Sequence, residues 1–133
     1  MSRFLNAGKI EKSPNSNLGF AGEDFVAEVL QNAGYKIVCK NYRKRFGEVD
    51  LIAKSTDLIA FVEVKTRTTN YFNLSEVVNL TKQRRIILAA KDFLISNNIS
   101  DVAVRFDVAL VNKSKSEYEL EYIENAFTDH ENE

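Results

Sequence analysis

Apolar residues change their spacing several times along this chain, and each change marks an element. Over residues 18–33, Ala21, Val26, Ala27, Val29, Leu30 and Ala33 recur at helical spacing, and Gly34 supplies a C-terminal stop. Tyr35, Ile37 and Cys39 then alternate with Lys36, Val38 and Lys40, the period of a short strand. Two β-rich runs follow at 49–53 and 58–66, joined by Lys54-Ser55-Thr56-Asp57, which reads as a hairpin. Residues 71–79 are irregular. A second helix is predicted from 80 or 81 to about 96, with Ile86, Ile87, Ala90, Phe93 and Leu94 inward and Asn97-Asn98 closing it. Strands at 102–111 and 118–123 complete the order α-β-β-β-α-β-β, which predicts an α/β fold: a mixed sheet with a helix on either side.

Composition admits one domain of this kind. With 133 residues, 44% hydrophobic, 28% charged and one proline, the chain can bury a core and is neither collagen-like nor wholly disordered. Residues 1–17 are polar and aperiodic and are expected to be a flexible lead-in, 18–127 the domain, and 128–133 an acidic tail. The longest apolar runs are five residues, at 58–62 and 86–90, against the roughly 20 that a membrane helix needs. The first ten residues carry no apolar run of the secretory kind, so the expected setting is cytoplasmic. The single cysteine, Cys39, excludes an internal disulfide and a paired-thiolate metal site, and the single histidine, His130, lies in the tail, away from any predicted site.

Charge is unevenly spread. Residues 1–115 hold all 18 Lys and Arg but 12 of the 19 acids, a balance of +6, whereas 116–133 hold seven acids and no Lys or Arg. Within the basic body, Lys36, Lys40, Arg43, Lys44 and Arg45 fall in ten residues without an acid, interleaved with Tyr35, Tyr42 and Phe46. Cations beside aromatic rings suit a surface that tracks a phosphate backbone, and they equally suit a solvated basic strand face. Lys82, Arg84 and Arg85 occupy the first turn of the second helix, where the helix dipole disfavours cations, so phosphate binding is one use for Lys82 and Arg85 and plain solvation the other. Arg67 closes the 58–66 strand, where a loop residue can reach a phosphate.

The chemistry-bearing signal is a set of charges where a core strand needs apolar residues. Asp50 interrupts Gly47-Glu-Val-Asp-Leu-Ile-Ala53, and Glu63 and Lys65 interrupt Phe61-Val-Glu-Val-Lys65. A tight turn at Ser55-Thr56 puts Asp50 opposite Phe61, and a register two residues looser puts it opposite Glu63. Either leaves Asp50, Glu63 and Lys65 on one face. Two carboxylates so close repel unless a divalent cation lies between them, and oxygen donors without Cys or His favour Mg²⁺ or Mn²⁺. The Val64 carbonyl could complete the shell, and Lys65 could orient a water or offset charge at a scissile phosphate. Glu23 precedes Val26, Ala27 and Leu30 on the first helix's apolar stripe. It reads equally as a third site acid or as an acid favoured at a helix N-terminus. Asp107 reads as a structural partner of Arg105 or of a site cation.

These segments resemble the YraN family of small bacterial proteins: Gly22-Glu23, Gly34-Tyr35, Asn41-Tyr-Arg43, Phe46-Gly-Glu-Val-Asp-Leu-Ile-Ala53, Phe61-Val-Glu-Val-Lys-Thr-Arg67, Arg105-Phe-Asp-Val108 and Ile123-Glu-Asn-Ala-Phe127. The likeness spans roughly residues 18 to 127. It implies a restriction-endonuclease-like sheet of the PD-(D/E)XK nuclease superfamily, similar to archaeal Holliday junction resolvases. It further implies a metal-dependent endonuclease acting on DNA, branched or otherwise structured, in repair or recombination. Asp50, Glu63 and Lys65 match the superfamily signature and Glu23 its helical acid; Val49 stands where the superfamily has proline. Lys40, Arg43, Lys44, Arg45 and Arg67 would carry phosphate contacts, and action on two strands would suit a homodimer. The competing expectations are a nucleic-acid-binding or adaptor protein without turnover and a structural subunit of a larger machine.

Overall fold

The computed structural model describes residues 4–11, 21–68, 73–115 and 117–129. Its chain order is β1 (Phe4–Glu11), α1 (Ala21–Asn32), β2 (Lys36–Lys44), β3 (Gly47–Lys54), β4 (Leu58–Arg67), α2 (Leu74–Val77), α3 (Leu80–Ser96), β5 (Ala103–Lys113) and β6 (Glu117–Phe127). The six strands form one mixed sheet in the order β1-β6-β5-β4-β3-β2, in which only β4 and β5 run parallel. The expected α-β-β-β-α-β-β order is present, with β1 and the one-turn α2 added.

The α/β layering follows from the alternation. Inward residues on one face, Leu51, Val62, Val111 and Tyr122, pack under Phe25, Val26 and Leu30 of α1. Ile52, Phe61, Phe106 and Val108 on the other face pack under Ile86, Ala89, Ala90 and Phe93 of α3. Fully buried side chains of this size each contribute about 2 kcal/mol. The parallel β4–β5 pair needs a crossover, and α3 provides it.

The start of the chain departs from the expected lead-in. Phe4–Glu11 pairs antiparallel with β6, from Phe4↔Ile123 to Glu11↔Glu117, with a register shift between Asn6 and Lys9. Asn6 and Gly8 blunt the local strand signal there, so the pairing comes from the edge that β6 offers rather than from propensity. Residues 1–3, 12–20, 69–72, 116 and 130–133 lie outside the described set, including the predicted helix start at Leu18, His130 and most of the acidic tail. The tail's Asp129 is described and pairs with Lys91 of α3 at 3.0 Å. Among the described residues no helix is long and apolar enough to cross a membrane.

Candidate active site

The site forms where the sheet comes apart. β3 pairs with β4 only from Leu51↔Val62 to Lys54↔Ile59, the looser of the two registers, while its pairing with β2 runs on to Gly47. Continued, that register sets Asp50 opposite Glu63. Val49 packs in the core under α3, whereas Leu51 packs under α1, so the two-residue alternation breaks at Asp50 and β3 turns away from β4. The Val64 N–H, left without a ladder partner on that side, donates instead to Asp50 Oδ2 at 2.8 Å. The N–H and C=O of one strand residue point the same way, so the Val64 carbonyl opens into the same gap.

Glu63 stands beside this gap and is 4% exposed. Its Oε2 accepts an ion pair from Lys82 at 3.0 Å, while Oε1 is buried without a hydrogen-bond partner. Burial and, second, the neighbouring Asp50 charge push the Glu63 carboxyl up to about 8. Glu23 enters from α1. Burial and then Asp50 raise its carboxyl above the ordinary range, and the Asn41 amide donates to its Oε2 at 3.0 Å. Glu23 thus lies within reach of the Asp50 charge, and as an acid in the first turn of α1 it also suits the helix dipole. The break between β3 and β4 brings acids from two strands and a lysine from α3 together, with Glu23 of α1 close enough to Asp50 to feel its charge.

Close backbone approach brings the two helices to this point. A Cβ at Gly22 of α1 would lie 2.1 Å from Thr66 Oγ1 at the end of β4. A Cβ at Gly47 would lie 1.9 Å from the Arg85 carbonyl, so only glycine lets α3 settle on the start of β3. Asn79 caps α3 by accepting from the Lys82 N–H at 2.9 Å. Arg85 donates to Glu48 at 2.7 Å, which holds the Glu48 carboxyl below its usual range.

The structure brings Asp50, Glu63 and the Val64 backbone together, with Glu23 beside them within reach of the Asp50 charge. Lys65 is half-buried two residues beyond Glu63 on the same side of β4, level with Leu110 of β5. No ion pair or hydrogen bond of its ammonium is found among the described residues. The predicted phosphate contacts divide. Arg45 and Arg67 are exposed, and Arg43 is exposed with one bond to Asn41. Lys40 pairs with Asp24 at 3.2 Å, Lys44 approaches Asp92 at 3.9 Å, and Arg85 and Lys82 hold Glu48 and Glu63. Asp107 is fully buried and accepts from Arg105, the Tyr122 hydroxyl and the Asn125 N–H, a structural network away from the gap.

Two contributors escaped the sequence reading. The sequence pattern leaves Lys82 to either phosphate or solvent, because its partner Glu63 lies on another element. Asn41 was noted only within a motif, yet it adopts φ 54° inside β2, the left-handed conformation that asparagine tolerates, and this aims its amide at Glu23.

The donor set fits a hard divalent cation. A buried and a half-buried carboxylate side by side, the buried one with an unpartnered oxygen, and an adjacent backbone carbonyl are what Mg²⁺ accepts alongside water. Among the described residues no three Asp, Glu, His or Cys side chains converge, so the protein's donors are this pair and the backbone.

Comparison with known sequences matches residues 22–111 to the Uncharacterised protein family UPF0102, also called YraN. A UPF0102 protein of Alkaliphilus oremlandii is 43% identical over 116 residues, covering 85% of this chain and 99% of the relative. One from Clostridium perfringens is 42% identical over 119 residues, covering 87% and 98%. One from Caldanaerobacter subterraneus is 39% identical over 122 residues, covering 89% and 100%.

Proposed function

The chain belongs to the UPF0102 family, and we propose that it is a metal-dependent endonuclease of PD-(D/E)XK type that hydrolyses phosphodiester bonds in branched or otherwise structured DNA. One observation carries this reading. Asp50 and Glu63 sit together where β3 leaves β4, one Glu63 oxygen is buried and unpartnered, and Lys65 follows two residues on. A buried carboxylate set beside a second acid is costly in a merely structural site and useful in one that holds a cation.

In this reading Asp50, Glu63 and the Val64 carbonyl hold Mg²⁺ or Mn²⁺. The bound ion supplies polarisation of a phosphoryl oxygen and a lowered pKa for water. Asp50 is held in place by the Val64 N–H on Oδ2, which would leave its second oxygen for the ion. Lys65 stands where its ammonium can orient a water or offset charge on the scissile phosphate. Glu23, fixed by Asn41, sets the polarity of the wall beneath. Arg43, Arg45 and Arg67 offer exposed guanidinium groups to the backbone, and Lys40 and Lys44 become available when phosphate outcompetes their surface partners. Cutting both strands of a duplex calls for two copies of the chain.

A second reading, a protein-binding subunit without turnover, draws on the outer face of α3, where Leu80, Leu88 and Ile95 are 61%, 46% and 77% exposed. The deciding experiment is cleavage of labelled branched, flapped, single-stranded and linear DNA with Mg²⁺ or Mn²⁺. We expect metal-dependent cutting that falls about a hundredfold or more in Glu63→Ala and Lys65→Ala. No cutting of any substrate, with DNA binding indifferent to both substitutions, would overturn the nuclease reading in favour of the second.

A further inference from the structure

Lys82 is held more firmly than a surface lysine needs to be. Its backbone N–H is fixed by the Asn79 cap, and its helix is seated against Gly47. One turn further, Arg85 is tied to Glu48. These restraints deliver the ammonium to Glu63 Oε2 at 3.0 Å. The two partners are unequal: the Glu63 side chain is 5% exposed, the Lys82 side chain 36%. The lysine therefore reaches into the gap from solvent and can swing back out, while the carboxylate cannot follow. Asp50 and Glu48 also lie close enough to act on its charge. Lys82 is thus the positive charge that balances the acid pair in the cation-free chain.

We propose that Lys82 is a cation-released phosphate ligand. It neutralises Glu63 while the site lacks a divalent ion, gives up Oε2 when the ion binds, and then presents its ammonium to a phosphate oxygen of the substrate. A divalent ion beside the carboxylates repels an ammonium 3.0 Å from Oε2 and competes for the same oxygen. The lysine's partly exposed side chain leaves it a way out to solvent, where it can meet a phosphate oxygen. This device would keep phosphate affinity low until the ion is in place. It rests on the metal-site reading above.

The test is acylation of surface lysines followed by mass spectrometry, on the full chain, with Ca²⁺ as the probe ion and its binding recorded independently by thermal shift. An amine freed from an ion pair of this kind should label about fivefold faster. We expect Ca²⁺ to raise Lys82 labelling by that factor and leave Lys36 and Lys54 unchanged. A branched DNA should then suppress Lys82 labelling when Ca²⁺ is present and not in its absence. Glu63→Gln should label fast at Lys82 with or without the ion. If Ca²⁺ binds but Lys82 labelling stays constant, the release is refuted while the metal site stands. If labelling rises but DNA gives no protection, the phosphate role is refuted. If millimolar Ca²⁺ does not bind at all, both this inference and the metal-site reading fall.

Discussion

Replacing Glu63 by glutamine should make the cation-free protein more stable. In the folded chain Glu63 binds its proton more tightly than in the unfolded chain, because it is buried beside Asp50. Its contribution is therefore fully present below the unfolded value of 4.5 and is lost as pH climbs through about 8. A move of that size sets a ceiling of about 5 kcal/mol at alkaline pH. The amide cannot ionise and keeps the side-chain shape, so it escapes this loss. The ion pair with Lys82, which the amide gives up, is already contained in that ceiling, because the lysine draws the carboxyl down from a still higher value. Partial ionisation and relaxation take a share of it, leaving an expected gain of about 2 kcal/mol near pH 8, or roughly 8 °C in Tm for a chain of this length. The assay is thermal and urea unfolding of both proteins in EDTA, from about pH 4 to about pH 9. The gain should vanish toward the acid end. A variant no more stable than wild type at alkaline pH, or a difference that does not change with pH, would refute the electrostatic account of the pair.

Four further outcomes are expected. Gly47→Ala drives a methyl group into the Arg85 carbonyl, which cannot rotate away, so it should cost about 2–4 kcal/mol in urea unfolding. Gly22→Ala meets only the Thr66 hydroxyl, so its smaller loss should be recovered in the double variant with Thr66→Ala, measured by the same unfolding. Asn41→Ala loses both the Glu23 bond and a residue suited to φ 54°, at a cost of about 1–2 kcal/mol. Asn41→Gly loses only the bond, so cleavage rates should fall in both while stability falls chiefly in the alanine variant. Asp107→Ala strands the Arg105 guanidinium and should cost about 3–5 kcal/mol in unfolding, with no change in divalent-ion affinity among molecules that remain folded.

The layers of this fold were legible because burial dictates them. The period of two in β3 and β4 and the period near four in α1 and α3 are recorded directly in apolar residues, and parity alone put Asp50 and Glu63 on neighbouring strands in either register. What remained hidden depends on how elements meet. The break between β3 and β4 at Asp50 arises where two strands part, and no local pattern around Val49 or Leu51 announces it. The Lys82–Glu63 pair depends on the seating of α3, which Gly47 permits and Asn79 fixes; an isolated reading of the helix sees only a cation in an unfavourable first turn. β1 was illegible for the complementary reason, since its pairing is supplied by β6. Several basic residues expected to be open are paired with acids from distant segments, such as Lys40 with Asp24.

The claim on which the rest depends is that Asp50 and Glu63 together hold a hard divalent cation, and ion binding by the chain itself reports on it without interference from contaminating nucleases. Titration of the purified protein with Mn²⁺, followed by electron paramagnetic resonance of the free ion, should give about one site per chain. Asp50→Asn and Glu63→Gln should each weaken that site about tenfold or more. Equal Mn²⁺ affinity in the wild type and both variants, or no site in the wild type, would contradict it.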